Sequence, residues 1–220
     1  MISRLAGQLV PAFGRLTLTT EADAVLPPSG IIAANHTSLA DPAIVLAALR
    51  LLGARPVVMA TAGLWRVPLL GRALAREGHI PVHRGDARAG RAVGLAQEAL
   101  ERGRHILIYA EGGLPDRGDA AEAAPGAFHR GLARLAHRTG APVIPLGQAG
   151  ARRVTSGSAA KQLAGLATAP LRRPRLHVHV GPPLRLDGDG PAATAQARLA
   201  VTAAWRTAAA RLGEPAALTA

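Results

Sequence analysis

Six short apolar runs, each closed off by glycine, proline or charge, alternate along this chain with longer segments rich in alanine and leucine. That alternation limits the fold more than any other feature. The runs cover residues 30–34, 56–60, 79–82, 104–110, 142–146 and 175–180, each of strand length. Helices are expected over 42–52, 87–102, 127–138, 158–167 and 192–212, where alanine and leucine favour them. Strands alternating with helices predict an α/β fold, a single domain with a mixed, mostly parallel sheet covered by helices. Pro81 and Pro145 fall inside strand candidates, which places those strands at edges or bulges or makes them shorter. Residues 112–125 read as a loop, and 187–191 as a turn before the last helix.

With 220 residues the chain fits one domain that can bury a core without disulfides. Only five residues are Phe, Trp or Tyr, so Leu, Val, Ile and Ala must build that core. There is no cysteine, which excludes a disulfide framework, a thiol nucleophile, an iron–sulfur cluster and a thiolate zinc site. The formal charge is +12, and every basic residue except Lys161 is arginine. From 123 to 186 there is no Asp or Glu, so phosphate-bearing partners or an anionic membrane surface are the natural candidates.

Between the first of the six runs and the first expected helix lies Asn35-His36-Thr37-Ser38-Leu39-Ala40-Asp41-Pro42, at a strand's exit, where α/β proteins commonly place their sites. On an unbroken helix His36 and Asp41 would stand about 140° out of line. They can meet only across a turn. Asp41-Pro42 also reads as a helix cap followed by proline at the first helical position, so spacing alone leaves both readings open.

Asn-His-x-Ser-x-x-Asp resembles the signature of the 1-acylglycerol-3-phosphate (lysophosphatidate) acyltransferases and their relatives. Three further blocks follow in that family's order: 63–71 with 78–84, then Tyr109-Ala110-Glu111-Gly112-Gly113, then Phe128-His129-Arg130-Gly131 with 141–146. The resemblance implies an O-acyltransferase that moves a fatty acyl group from acyl-CoA or acyl-carrier protein to a lipid hydroxyl, with 1-acylglycerol-3-phosphate as the expected acceptor and no cofactor or metal. It implies that His36 is the general base and Asp41 its orienting partner. A histidine titrates near neutrality, and an adjacent carboxylate fixes its tautomer. The tetrahedral oxyanion is expected to take backbone amides at the helix start. Asn35, Ser38, Arg84, Glu111, Gly112 and Gly113 are carried over as substrate-binding positions, Arg84 for the acceptor's phosphate. The family usually has a phosphate-binding arginine where this chain has Leu114, and Arg117 is the candidate to replace it. Gly113 stands for the family's threonine, Ala110 for its proline, and His83 where an acidic residue is common. An acceptor without glycerol phosphate is the alternative within the family.

Residues 1–27 are expected to form an amphipathic segment, with Leu5, Leu9, Val10, Phe13 and Leu16 among Arg4 and Arg15 and with Pro11 interrupting any helix, and 28–220 the acyltransferase domain. No apolar stretch reaches membrane-spanning length, and a signal peptide is not expected. The expected location is the cytoplasm, peripherally at the inner face of the plasma membrane, on anionic lipid. His177 and His179 read as histidines on a solvated strand rather than metal ligands. Ser158-Ala159-Ala160-Lys161 fits a Ser-x-x-Lys pattern without its companion motifs. No glycine-rich nucleotide loop occurs. A non-enzymatic nucleic-acid binder is the rival from another class, resting on charge alone. The scarcity of aromatic stacking platforms sets it aside, and no nucleic-acid partner is expected.

Overall fold

The computed structural model describes residues 2–21, 26–83, 89–114 and 121–214. Among the described residues seven strands form one sheet: β1 (Arg15–Thr20), β2 (Gly30–Ala34), β3 (Val57–Thr61), β4 (Ile80–Val82), β5 (His105–Tyr109), β6 (Val143–Ala149) and β7 (Arg175–Val180). The α-helices among the described residues are α1 (Ile2–Phe13), α2 (Asp41–Leu51), α3 (Pro68–Arg76), α4 (Ala89–Glu101), α5 (Gly131–Thr139), α6 (Ala159–Arg172) and α7 (Pro191–Leu212). The spatial order is β1-β7-β6-β2-β5-β3-β4, and every pairing is parallel except β6 with β7. The sheet is thus mixed and mostly parallel.

Strand β2 lies at the centre and is buried along its whole length. Its side chains alternate between two cores. Ile32 and Ala34 join Ile44, Val45 and Leu49 of α2 with Leu146 and Val178, while Ile31 and Ala33 join Ala96 of α4, Leu132 and Leu135 of α5 and Val201 of α7. With few aromatics, the chain packs its helices closely through small residues. A Cβ at Gly147 of β6 would collide with the backbone of Ala204 and Trp205, so α7 crosses β6 almost in backbone contact, and Trp205 is fully buried beside it.

All six expected strands are present within a residue or so of their expected starts. β1 was not among them, and α3 is a further addition, opened by Pro68 at the first helical position. Residues 15–20, inside the N-terminal segment that the sequence sets apart, pair with β7 as an edge strand of the same sheet. Pro11 does not interrupt α1, which runs on to Phe13 with Ala6 and Val10 in the core. Pro81 lies in the edge strand β4, as its missing N–H requires. Pro145 does not lie at an edge: it sits in β6 between β2 and β7. Its carbonyl accepts Gly181 N–H at 2.9 Å, just past the last residue of β7, so the missing donor faces the point where that strand has ended.

The expectation of solvated histidines on β7 is overturned. His177 and His179 are 3% and 4% exposed. In the β1–β7 register they stand opposite Thr17 and Thr19. Thr17 Oγ1 meets His177 Nδ1 at 2.7 Å, and Thr19 Oγ1 meets His177 Nε2 at 3.0 Å and His179 Nδ1 at 2.9 Å. Burial, with the charges of His179, Arg211 and Arg175, pushes the His177 pKa down from its ordinary 6.5 to about 4. A depressed value means that the unfolded chain binds the proton first. The stability from this ladder is therefore present above about pH 6.5 and lost as the pH falls through about 4. Thermal unfolding followed across that window should show Tm falling, with a shallower fall in His177→Gln. Equal slopes in the two proteins would remove His177 as the cause.

Candidate active site

Strand β2 ends at Ala34, and the chain turns through residues 35–40 before α2 begins. The turn is held by side chains from beneath it. Asn35 is fully buried, with its amide donating to Gln148 O at 3.0 Å and accepting Gln148 N–H at 2.8 Å. Ser38 Oγ bonds to Thr155 O at 2.9 Å, and Arg152 donates to Thr37 O at 3.1 Å. Asn35 and Ser38, read in the sequence as substrate-binding, are thus buried residues that fasten the turn to β6 and the segment after it.

The turn brings His36 and Asp41 together. His36 Nδ1 lies 2.9 Å from Asp41 Oδ2, and the same oxygen accepts the amides of Thr37 at 2.6 Å and Ser38 at 2.9 Å. The reading of Asp41 as the helix cap does not hold. The cap position is Ala40, and the Asp41 carboxylate reaches back into the turn instead. Asp41 is fully buried, which pushes its pKa above the ordinary carboxylate value, opposed by the His36 and backbone hydrogen bonds. An ionised carboxylate only accepts, so Nδ1 carries the ring proton and Nε2 the lone pair. The His36 side chain is 17% exposed.

Two elements hold the imidazole from the other side. Tyr109, the last residue of β5, lies against it with ring centroids 4.4 Å apart and planes inclined by 30°. Glu111 accepts the His36 backbone N–H at 2.7 Å through one oxygen and Gly126 N–H at 2.8 Å through the other, so it clamps the turn to the segment around residue 126. Burial raises the Glu111 pKa, against these two bonds. Gly112 has φ +75°, a backbone angle that calls for glycine, and a Cβ there would also meet the His129 ring, which would have to shift. Gly113 follows in a bend, partly buried. Arg84 and Arg117 lie outside the described residues.

The amides near the start of α2 are not a row of free donors. Those of Thr37 and Ser38 go to Asp41, that of Asp41 goes to Ser38 O, and Pro42 has none. Those four positions are therefore not available as the oxyanion donors expected at the helix start. The sequence also missed Tyr109, Gln148, Arg152 and Thr155. Only Tyr109 carried a signal, as the first residue of the block that contains the Glu-Gly pair.

Two apolar cavities flank the site. One, of about 400 Å³, is lined by Met59, Val82, Val93, Ile108 and Leu132, with Tyr109 shared between it and the His36 contact. The other, of about 450 Å³, lies between α1, α2 and α6, with Leu39 and Ala40 of the turn at 35–40 on its wall.

The sequence profile of the Acyltransferase family matches residues 18–148, more than half of the chain. The chain belongs to this family. His36, Asp41 and Glu111 of this acyltransferase all lie within the matched segment. No curated protein sequence matches it. Among solved structures, the 1-acyl-sn-glycerophosphate (LPA) acyltransferase PlsC from Thermotoga maritima superposes with a TM-score of 0.70 at 18% identity, over 98% of this chain and 80% of that one. At that identity the likeness is one of fold. It extends over nearly all of the chain, including β1 and α1.

Proposed function

We propose that this acyltransferase transfers a fatty acyl group from acyl-CoA or acyl-carrier protein to a hydroxyl of a lysophospholipid-type acceptor, 1-acylglycerol-3-phosphate first among them. The observation that carries this reading is the His36 Nδ1–Asp41 Oδ2 contact of 2.9 Å on a partly exposed ring. His36 Nε2 takes the acceptor's hydroxyl proton as the oxygen attacks the thioester carbonyl. The carbon–sulfur bond then breaks, and the proton passes from His36 to the departing thiolate, which leaves as thiol. Asp41 balances the positive charge on the ring meanwhile. The 400 Å³ cavity beside Tyr109 has the apolar wall that an acyl chain needs.

A phosphate on the acceptor calls for cationic partners, and Leu114 is apolar and 39% exposed. Arg84 and Arg117 are the proposed partners. A charge-assisted, paired guanidinium–phosphate contact contributes about 1.5–3 kcal/mol, tenfold or more in affinity. The kcat/KM for 1-acylglycerol-3-phosphate should therefore exceed that for a monoacylglycerol of the same chain at least tenfold. Equal or reversed values would assign the site to a phosphate-free acceptor, the reading that Leu114 favours.

Among the described residues no helix is long and apolar enough to cross a membrane. We place the protein on the inner face of the plasma membrane, held peripherally. The support is an apolar rim around the second cavity, where Leu5, Leu9, Leu163 and Leu166 are 46%, 54%, 70% and 43% exposed, with Arg4, Arg172 and Arg173 on the same helices or just beyond. Wild type should sediment with anionic liposomes. Leu163→Glu with Leu166→Glu should weaken that binding about tenfold or more, since two leucines leave the lipid. Wild type staying in the supernatant would refute the placement.

A further inference from the structure

The acyl-transfer centre lies where β2 and β5 end. At the opposite end of the sheet, where the chain enters β3, β4 and β5, there is a third cavity, of about 190 Å³, with charged residues on its wall. Arg55 and Arg104 stand just ahead of β3 and β5, and His79 just ahead of β4. Glu77 follows α3, and Ser3 and Arg4 come from the first turn of α1. The length of β5 puts this cavity roughly 16 Å from the Tyr109 end.

His79 determines what the cavity can hold. Its side chain is 2% exposed. Nδ1 accepts the Val58 backbone N–H at 3.0 Å, which places the ring proton of the neutral imidazole on Nε2. Burial holds the pKa below its ordinary value; Glu77 opposes this and Arg104 reinforces it. Nε2–H has no hydrogen-bond partner among the described residues. Glu77 Oε2 lies 3.7 Å away, too far for a hydrogen bond, and the other Glu77 oxygen accepts the Ile2 backbone N–H. A buried donor therefore points into a space faced by three guanidinium groups and one carboxylate that is already engaged. A cation would be repelled there, and a neutral ligand would leave the guanidinium charges uncompensated. Arg104 makes one long bond, to Arg55 O at 3.5 Å, and a compact oxyanion supplies the several close acceptor oxygens that guanidinium groups and the His79 N–H can pair with.

We propose that this cavity binds a phosphate group, at a site separate from the acyl-transfer centre, with the His79 Nε2–H and the guanidinium groups of Arg4, Arg55 and Arg104 as its donors. Helix α1 begins at this cavity and carries Leu9, Val10 and Phe13 along the apolar groove, so an occupant would tie the amino end of α1 to the sheet. The phosphate can belong to a lipid headgroup or to a soluble phosphoryl compound.

The test is titration of the isotopically labelled full chain with inorganic phosphate, read on the His79 ring resonances, so that binding at the acyl-transfer centre is not counted. We expect saturable shifts in wild type. An Arg55→Gln and Arg104→Gln double variant, changed at two exposed positions remote from His36, should bind at least tenfold more weakly while acyl transfer is unaltered. In parallel, wild type and double variant are compared on vesicles containing phosphatidic acid. A tenfold loss with the variant assigns the phosphate to lipid, and unchanged vesicle binding assigns it to a soluble ligand. His79 resonances that stay in place with phosphate, or a double variant that binds it as tightly as wild type, would overturn the proposal.

Discussion

Replacing His36 with alanine should lower kcat by on the order of 10³–10⁴-fold and leave KM within a few-fold of wild type. The imidazole is the group in this site that presents a partly exposed, lone-pair-bearing ring nitrogen. Without it the acceptor's hydroxyl, which is scarcely acidic, must attack the thioester while still carrying its proton. General-base assistance by a positioned side chain is worth about 10²–10⁴-fold. In the proposed function substrate binding is assigned to other surfaces, the apolar cavities and the basic residues, so KM should not follow kcat. The ring is held by Asp41 and by contact with Tyr109 rather than being a support for them, so the variant should keep the Tm of wild type within a few degrees. A loss in KM with kcat unchanged would recast His36 as a binding residue.

The second large effect is expected at Asp41, where activity and stability should part. Asp41 Oδ2 accepts from the His36 ring and from two backbone amides, whereas Oδ1 has no partner among the described residues. An asparagine can put its carbonyl oxygen in the position of Oδ2 and keep all three bonds. Asp41→Asn thus removes the charge and spares most of the geometry. The raised pKa of Asp41 fixes the sign for stability. A carboxyl whose value is higher in the folded chain contributes stability below its unfolded value, near 3.8, and loses it as the pH rises through the folded value, so ionised Asp41 is a net cost at neutral pH. At pH 7 the Asn variant should hold the wild-type Tm or exceed it, while kcat falls about 10²-fold or more because the imidazolium has lost its counter-charge. The unpartnered amide N–H₂ limits the gain in Tm. A fall in Tm that accounts for the lost activity would make Asp41 a structural residue.

Much of this fold could be read in the sequence, because its strands are apolar runs bounded by glycine, proline or charge. β1 was missed although Leu16 and Leu18 alternate with Thr17 and Thr19. Its neighbours Arg4 and Arg15 and the proline at 11 suggested a surface segment, and only pairing with β7 gives the alternation its meaning. His177 and His179 were read as exposed because a period of two says which residues share a face, not what covers that face. Here α7 packs over β7, and threonines from β1 satisfy the rings.

At the site, the pairing of His36 with Asp41 depends on a turn that the spacing left undecided. The structure resolves it through bonds from residues more than a hundred positions away, Gln148 and Thr155. Long-range braces of this kind leave no local pattern. For the same reason Asn35 and Ser38 looked like substrate contacts: polar residues beside a candidate histidine give the same sequence signal whether they face the ligand or fasten the loop.

Thiol release from a long-chain acyl thioester is the measurement that most directly tests acyl transfer at His36. It should be followed with and without 1-acylglycerol-3-phosphate, for wild type and His36→Ala at equal concentration. Acceptor-dependent release by wild type, matched by acylated product and reduced at least 10³-fold in the variant, is the predicted result. Release that ignores the acceptor, or that persists in the variant at the wild-type rate, would contradict it.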